Sequence, residues 1–229
     1  MNIVLVGFMG TGKSAVGKEL AKRLGMRYLD TDKLVERKEG LSIPEIFSKK
    51  GEEYFRELEA KIVKEVSKQK GCIISTGGGV VLRKDNIEAL QKEGCLVCLE
   101  AKPEIILKRI ENDGEERPLL EGVSDKIKRV KTLLKKRCPF YAQADIIIDT
   151  SSLKVSEIVD KIINTLSGKR LQVKLGKRSY PVFVGYPLEK VGKIAKDFSL
   201  GKKILIISDR KVFPLYGEKV KNSLKEEGF

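Results

Sequence analysis

The sequence predicts an α/β fold over residues 1–168, in which a mainly parallel sheet of five strands carries helices on both faces. Two observations support this prediction. Short apolar runs, typical of buried strands, alternate with longer segments whose apolar residues recur at helical spacing. The first apolar run also leads through a glycine-rich turn directly into a helical segment.

The first element is a strand over residues 3–6, and the turn after it fills every fixed position of G-x-x-x-x-G-K-[ST]. In such a turn, backbone N–H groups surround phosphate oxygens, the Lys reaches the β/γ-phosphates and the hydroxyl ligates Mg²⁺. The motif therefore predicts an ATP site, with Lys13 as a catalytic group and Ser14 as a metal ligand. Its predicted ATP-binding residues are Gly10, Thr11, Gly12, Lys13, Ser14 and Ala15.

Two alternatives remain open for this turn. Gly10, Gly12 and Ala15 also match G-x-G-x-x-A, a dinucleotide-binding pattern, and acidic residues follow about twenty positions later. That interpretation leaves Lys13 and Ser14 without a role. The other alternative is a glycine turn that binds no ligand.

Two carboxylates follow the second predicted strand, residues 27–30. Asp30 and Asp32 lie at its carboxyl end, where open α/β sheets bind their ligands. Beside a phosphate loop, one carboxylate suits a metal-water shell and the other a substrate hydroxyl. The alternative is that they cap a helix that begins at Lys33.

The middle of the region adds an arginine and a run of glycines. A capping box opens a helical segment over residues 42–70, which Gly51 interrupts and which carries Arg56. The strand over residues 72–76 ends in three consecutive glycines, residues 77–79, which let main-chain N–H groups contact a ligand. A single arginine on a helix is more often a solvated charge, so Arg56 alone predicts little.

The rest of this region contains one long polar loop. Residues 112–123 include two glycines and a proline, which is typical of a mobile loop. The other predicted elements are helices over residues 85–92, 103–111, 127–138 and 155–166, and strands over residues 95–99 and 145–149.

The sequence pattern of residues 169–229 predicts a second, smaller domain, which is an incomplete Rossmann-like fragment. It contains two hairpin strands (171–176 and 180–185), a helix (188–198), one central strand (203–208) and a last helix (216–227). Because a single central strand builds only a small core, we expect this fragment to be mobile, to dock, or to self-associate through its exposed strand edge.

Composition excludes several classes of protein. The chain has no apolar run long enough to span a bilayer, and 34% of its residues are charged. It has no histidine, so acid–base chemistry falls to Asp, Glu or Lys. We expect a cytoplasmic enzyme with no membrane partner, whose four cysteines are buried reduced thiols and not a zinc site.

The formal charge of +14 motivates a further alternative, a nucleic-acid-binding protein that uses ATP as a switch. Residues 169–229 carry +9 of this charge. The basic residues lack interleaved aromatic residues, and the sequence contains no recognisable nucleic-acid-binding motif. We therefore expect no nucleic acid partner.

Residues 1–168 resemble shikimate kinase, a P-loop NTPase of the nucleoside-monophosphate-kinase architecture. Besides the phosphate loop, the motifs that carry the resemblance are Asp30-Thr31-Asp32, Phe55-Arg56-x-x-Glu59, Ser75-Thr76-Gly77-Gly78-Gly79, Arg117-Pro118-Leu119-Leu120 and Arg137-x-Pro139-x-Tyr141, in that order. The resemblance implies that ATP phosphorylates the 3-hydroxyl of shikimate, a step of chorismate and aromatic amino acid biosynthesis. Another small-molecule or nucleotide kinase remains the alternative, because the phosphate loop leaves the acceptor open.

The resemblance also implies roles for the matching acidic residues. Asp32 is expected to hold substrate hydroxyls and to act as the catalytic base, while Asp30 and Ser14 serve Mg²⁺. These roles agree with the chemistry of shikimate, a monoanion with a ring of hydroxyls, which needs both a cationic fork and a carboxylate.

Several arginines complete the implied site. Arg56, Arg137 and the amides of the run Gly77–Gly79 are expected to bind the substrate carboxylate. Arg117, on the lid, is expected to meet the transferring phosphate as a catalytic and ATP-binding residue, and Arg109 to flank the adenine.

Residues 170–229 resemble the opening portion of 3-dehydroquinate synthase, an NAD-dependent, metal-requiring enzyme of the same pathway, mainly in residues 176–181 and 208–217. The family's glycine-rich nucleotide turn and histidine-containing metal site are missing. The resemblance implies a kinase fused to an incomplete, inactive synthase, in which we expect neither NAD nor zinc to bind productively.

Overall fold

The computed structural model describes residues 1–114, 117–120, 122–167, 169–173, 176, 180–184, 186–198 and 201–229. The chain forms two compact units, Met1–Asp160 and Lys161–Phe229. The boundary between them falls within a helix, Val155–Ser167. Gly168, the predicted end of the first domain, lies outside the described residues.

The first unit alternates strands and helices in the predicted order. Its strands are β1 (Asn2–Val6), β2 (Arg27–Asp30), β3 (Cys72–Ser75), β4 (Gly94–Glu100) and β5 (Ile146–Asp149). Its helices are α1 (Lys13–Leu24), α2 (Thr31–Glu39), α3 (Ile43–Ser67), α4 (Lys84–Glu93), α5 (Pro103–Asp113), α6 (Lys126–Tyr141) and the start of α7 (Val155–Ser167), with short 3₁₀ turns at Val80–Leu82 and Pro118–Leu120.

The five strands form one parallel sheet in the order β2-β3-β1-β4-β5. Every residue of β1 is buried, as expected for a parallel strand covered on both faces. In the sheet register Leu5 lies beside Ser75 and Val97, and Ser75 lies beside Asp30. The carboxyl ends of β1, β2 and β3 therefore meet at one edge of the sheet.

The two faces of the sheet carry different helices. Val4 and Val6 belong to a core shared with residues of α3, α4, α5 and α6. Leu5 points to the opposite face, where α1 approaches so closely that a Cβ on Gly17 would lie 3.2 Å from Leu5 Cδ1 and 2.6 Å from Tyr28 Cε2. The predicted fold class, with helices on both faces, is confirmed.

Helix α6 is longer than the sequence predicts. The helix was expected to end at Cys138, because a proline follows, yet it continues to Tyr141 with Pro139 inside it. Tertiary contacts hold this last turn: Tyr141 is 3% exposed, and its hydroxyl donates to the Gly78 carbonyl at 2.7 Å. By contrast, the interruption at Gly51 in α3 is confirmed, with φ 84° and ψ 167°.

The second unit contains an antiparallel strand pair and two helices. β6 (Lys169–Val173) pairs with β7 (Tyr180–Val184), which confirms the predicted hairpin strands, although residues 174, 175 and 185 lie outside the described residues. A 3₁₀ turn, Leu188–Lys190, leads into α8 (Val191–Asp197), and α9 (Phe213–Glu226) follows. Within the described ranges, we find no helix with the length and apolar character needed to cross a membrane.

The predicted strand over residues 203–208 is not formed. The described sheets do not include it, and its side chains Leu205 and Ile207 are 83% and 87% exposed. A strand becomes regular by pairing its main-chain groups with a neighbouring strand, and β6 and β7 pair only with each other. Apolar composition alone therefore led to the wrong prediction of a strand over these residues.

Candidate active site

A cavity of about 700 Å³ lies at the edge where β1, β2 and β3 end. It is lined by residues of the first unit. Among the predicted site residues, those on its wall are Gly10, Gly12, Lys13, Ser14, Ala15, Asp30, Asp32, Arg56, Gly77, Gly78, Gly79, Arg109, Arg117 and Arg137. The structure therefore brings together every predicted site residue except Thr11.

The turn after β1 wraps around Lys13, the first residue of α1. Gly10 and Gly12 have φ values of 74° and 94°, in the left-handed region that glycine adopts without steric strain. Lys13 is only 8% exposed, and its Nζ donates to the carbonyls of Gly7 and Phe8 at 2.9 Å each. The ammonium is thus held inside the turn before any ligand arrives.

Two neighbouring side chains support the turn. Thr11 is 1% exposed and its hydroxyl donates to the Phe8 carbonyl at 2.7 Å, which explains why it does not line the cavity. Arg109 donates from Nη2 to the Thr150 carbonyl at 2.7 Å and from Nη1 to the Gly10 carbonyl at 3.4 Å. These bonds fix the guanidinium of Arg109 at the wall of the cavity.

The positive charge of the Lys13 ammonium is only partly compensated by its surroundings. Burial lowers the pKa of the Lys13 ammonium, the carboxylate of Asp32 opposes this change, and the cation Arg117 adds to it. An anion beside Lys13 would favour the charged ammonium again. The turn is therefore suited to phosphate oxygens.

Asp30 combines two roles that the sequence left as alternatives. Its Oδ1 accepts the backbone N–H groups of Asp32 at 3.1 Å and Lys33 at 3.3 Å and so caps α2. Its Oδ2 accepts the hydroxyls of Tyr28 at 2.8 Å and Ser14 at 3.4 Å. The alternative of a helix cap therefore holds for Asp30 alone, because α2 begins at Thr31 and not at Lys33 and Asp32 lies within its first turn. The same Asp30 carboxylate lies beside the phosphate loop.

The pair Ser14 and Asp30 fits a magnesium ion by the chemistry of its donors. Mg²⁺ at nucleotide sites takes one or two protein oxygens and completes its shell with phosphates and water. In the part of the chain that the structure describes, no cluster of three or more His, Cys, Asp or Glu side chains could hold a metal ion.

Asp32 lies in the first turn of α2 and lines the cavity. Burial raises its pKa well above the usual carboxyl range, and the nearby carboxylates of Asp30 and Glu59 add to the increase. The cations Lys13 and Arg117 oppose it. A carboxylate that binds a proton more readily than usual suits a general base near neutral pH.

The glycine run after β3 makes room for charged side chains. A Cβ on Gly77 would lie 2.6 Å from Asp32 Oδ1 and 2.9 Å from Glu59 Oε1. A Cβ on Gly79 would overlap the guanidinium of Arg56. Close approach of these groups, which the sequence did not reveal, explains why the run contains no larger residue.

Some main-chain groups of the glycine run after β3 already form hydrogen bonds within the protein. The Gly77 N–H donates to Thr31 Oγ1 at 3.1 Å, so this amide does not face the cavity as an unpaired donor. The Gly78 carbonyl accepts Arg137 Nη1 at 3.1 Å and the Tyr141 hydroxyl at 2.7 Å. Arg137 is 4% exposed, so it is a buried residue of the site and not a solvated helix charge.

Glu59 is a site residue to which sequence reasoning assigned no role. It is 1% exposed, and its Oε2 accepts Arg56 Nη1 at 2.9 Å, while Arg56 also contacts the more exposed Glu52 at 3.1 Å. Glu59 Oε1 is buried without a hydrogen-bond partner among the described residues. The signal was present in the sequence, because residues three apart on a helix are neighbours.

Apolar side chains line a further part of the wall. They include Met9 of the turn after β1, and Phe47 and Phe55 of α3. The spacing of the two phenylalanines is that of any buried helix face, so nothing in the sequence separated them from the core.

The predicted lid, residues 112–123, is described in part. Arg117 donates from Nη2 to Asp113 Oδ2 at 2.9 Å. Leu120 is 4% exposed in the core, and Leu119 accepts a bond from Arg129 Nε at 3.2 Å. Residues 115, 116 and 121 lie outside the described residues.

The turn after β1 suits a nucleotide's phosphates, and Arg56 and Arg137 on the same cavity wall suit a small anionic acceptor. Fold and cavity thus define a P-loop phosphotransferase acting on a small molecule. The family model of shikimate kinase matches residues 9–167. The chain therefore belongs to the shikimate kinase family, and it is a shikimate kinase over this part of its length.

Comparisons with individual relatives support the same family. The chain is 50% identical over 162 residues to the shikimate kinase of Caldanaerobacter subterraneus subsp. tengcongensis, covering 71% of this chain and 94% of the relative. For the shikimate kinase of Thermodesulfovibrio yellowstonii the identity is 47%, with coverage of 71% and 92%. The solved structure of shikimate kinase from Acinetobacter baumannii in complex with shikimate is 39% identical with a TM-score of 0.68, covering 71% of this chain and 90% of that one.

Proposed function

We propose that this enzyme transfers the γ-phosphoryl group of ATP to the 3-hydroxyl of shikimate. One observation carries the proposal: a single cavity holds a phosphate loop together with two arginines and a carboxylate that suit an acid bearing several hydroxyls. The relative from Acinetobacter baumannii, solved in complex with shikimate, supports the same acceptor.

At the nucleotide end, Lys13 and the amides of residues 10–15 bind the phosphates of ATP. The Lys13 ammonium and the Arg117 guanidinium neutralise the charge that develops as the β–γ bond breaks. Arg109 lies beside the adenine. Ser14 and Asp30 would hold Mg²⁺, which supplies further charge neutralisation when it is bound.

At the acceptor end, Arg56 and Arg137 bind the shikimate carboxylate, and Asp32 binds its hydroxyls. The 3-hydroxyl oxygen attacks the γ-phosphorus, the bond to the β–γ bridging oxygen breaks and ADP leaves. Asp32 accepts the proton of the attacking hydroxyl. Apolar residues of α3 and the lid exclude water, which limits wasteful hydrolysis of ATP.

The direct experiment is a coupled assay of ADP release with MgATP and a panel of acceptors. We expect turnover with shikimate and none with gluconate or a nucleoside monophosphate, and we expect EDTA to abolish it. Turnover of another acceptor in the absence of shikimate turnover would contradict the proposed substrate. Equal ADP release with and without any acceptor would show an ATPase instead.

We propose that residues 169–229 form a separate domain related to the opening portion of 3-dehydroquinate synthase, and that these residues alone have no synthase activity. The support for this is the sequence resemblance in residues 176–181 and 208–217, which covers only that portion of the family. Removal of residues 169–229 is expected to leave shikimate phosphorylation nearly unchanged. Micromolar NAD binding by the whole chain, or inactivity of a truncated chain that is still folded, would contradict this division.

We place the enzyme in the cytoplasm. Its four cysteines are free thiols, and reduced cysteines are typical of that compartment. Cys138 is exposed and Cys95 is only partly buried, which corrects the expectation that all four are buried. Fractionation of cells that produce the protein tests the location directly.

A further inference from the structure

Residues 203–209, Lys-Ile-Leu-Ile-Ile-Ser-Asp, form an apolar segment outside the described helices and strands. Leu205 is 83% exposed and Ile207 is 87% exposed, whereas Ile204 and Ile206 are half-buried. Alternation with a period of two residues is the pattern of a β-strand. One face of this potential strand contacts the unit, and the other meets solvent.

Within the part of the chain that the structure describes, the main chain of the segment is unpaired as well. No backbone hydrogen bond joins residues 203–208 to any other residue that the structure describes. Four consecutive apolar residues, three of them isoleucine, have a high β propensity. Unpaired main-chain groups beside such side chains form a template for another strand.

We propose that this segment pairs with the same segment of a second copy of the chain, as an antiparallel strand pair centred on Ile206. In that register Leu205 faces Ile207 of the second copy, and Lys203 faces Asp209 of the second copy. Because a two-fold interface is isologous, each pair occurs twice. The exposed face of the strand pair then has an apolar centre, and at each end Lys203 of one copy faces Asp209 of the other.

The charges argue for this occupant and this register. Lys203 and Asp209 are both exposed, and Asp209 Oδ1 accepts the Lys211 N–H at 2.7 Å, which holds the carboxylate at the end of the segment. A register shifted by one residue would place Leu205 opposite Ile206, a residue of the other face.

Sedimentation equilibrium of the 229-residue chain tests the proposal. We expect a monomer–dimer equilibrium, and Ile207→Lys should weaken it about tenfold or more, because two cross-strand contacts are lost. Leu215→Lys is the matched control, since Leu215 is 66% exposed on α9 and lies outside the segment. Kinase turnover of the same samples shows that the first unit is folded.

Cross-linking tests the register independently, and it decides the matter if Ile207→Lys does not fold. In a Cys138→Ser background, Ile206→Cys should form a disulfide-linked dimer on mild oxidation, because this residue faces itself. Ile204→Cys, which faces Ser208 of the second copy, should not. Equal cross-linking of the two variants, or a dimer insensitive to Ile207→Lys, overturns the proposal. A chain that is monomeric at every concentration also overturns the proposal. The segment would then be available to pair with a strand of another protein.

Discussion

Two glycine-rich stretches line the cavity, one after β1 and one after β3, and they use glycine for different physical reasons. In the phosphate loop, Gly7, Gly10 and Gly12 have φ values of 138°, 74° and 94°. In the run after β3, Gly77 to Gly79 have no positive φ value, and Gly79 has φ −99°. Gly12 has nothing within 4 Å of a Cβ, so it needs glycine for its backbone conformation alone, whereas Gly77 and Gly79 need it because side chains approach where a Cβ would be.

We expect this difference to separate the binding of ATP from the binding of the acceptor. Around the phosphate loop, the proposed binding groups are mainly backbone amides, so the path of the backbone matters most. Around the second run, the proposed binding groups are side chains, and the backbone leaves space for Arg56, Asp32 and Glu59. Substitutions at the two ends should therefore fail in different ways.

The largest effect is expected for Lys13→Met. The ammonium stabilises charge that develops on the phosphates, and contacts of this kind contribute about 3–4 kcal/mol, a few hundredfold or more in kcat. The shikimate KM should change little. Lys18→Met, an exposed lysine on the same helix, is the control. A kcat within a few fold of the parent would remove Lys13 from the catalytic groups.

At the acceptor end, Arg137→Ala and Arg56→Ala should raise the shikimate KM by about ten- to hundredfold, since each loses a charge-assisted bond of roughly 1.5–3 kcal/mol. The ATP KM should stay near that of the parent. Steady-state kinetics with each substrate varied in turn measures the split. Equal increases in both KM values would indicate a folding role for these arginines.

Alanine at the two kinds of glycine tests the comparison directly. Gly12→Ala is strained by its φ of 94° although nothing lies within 4 Å of its Cβ, so it should cost about 1–2 kcal/mol of stability and raise the ATP KM. Gly79→Ala should instead displace Arg56 and raise the shikimate KM by about tenfold.

A double mutant separates the two mechanisms further. In an Arg56→Ala background, Gly79→Ala should have little additional effect on the shikimate KM, because the side chain that it displaces is gone. Gly12→Ala should keep its full effect on the ATP KM in that background. If the effects of Gly79→Ala and Arg56→Ala simply add, the close approach is not the reason for glycine at this position.

The smallest effect is on stability, for Asp32→Asn. Because burial raises the pKa of Asp32 in the folded state, its ionised form costs stability, fully above the folded pKa and not at all below the unfolded pKa. The variant should lose kcat yet melt about 2–4 °C higher at neutral and alkaline pH. Near pH 4 the difference should vanish.

Thermal melts across pH, with Asp85→Asn as an exposed control on α4, measure this effect. The control should not become more stable. A lower melting temperature of Asp32→Asn at pH 8 would show that the carboxylate stabilises the fold, contrary to the raised pKa.

Much of the fold and of the site was predictable from local patterns. The turn after β1, the capping box at Ser42 and the end of β2 at Asp30 all depend on neighbouring residues in the chain, and each was found where it was predicted. β3 ends at Ser75, one residue before its predicted end. The strand over residues 203–208 was wrong, because strand formation depends on a partner that local sequence does not reveal. The end of α6 was wrong for the same kind of reason, since the burial of Tyr141 outweighs the cost of Pro139.

The sequence by itself determined the order of elements, the phosphate loop and the residue types of both ends of the site, because these follow from short-range spacing and side-chain chemistry. Only the tertiary structure decided which groups meet. The bond from Arg137 to the Gly78 carbonyl joins residues that are distant in the chain and lie on different elements. The close approach of Asp32 and Glu59 to Gly77 does the same. Such approaches depend on how helices pack on the sheet, and packing is a property of the whole folded unit.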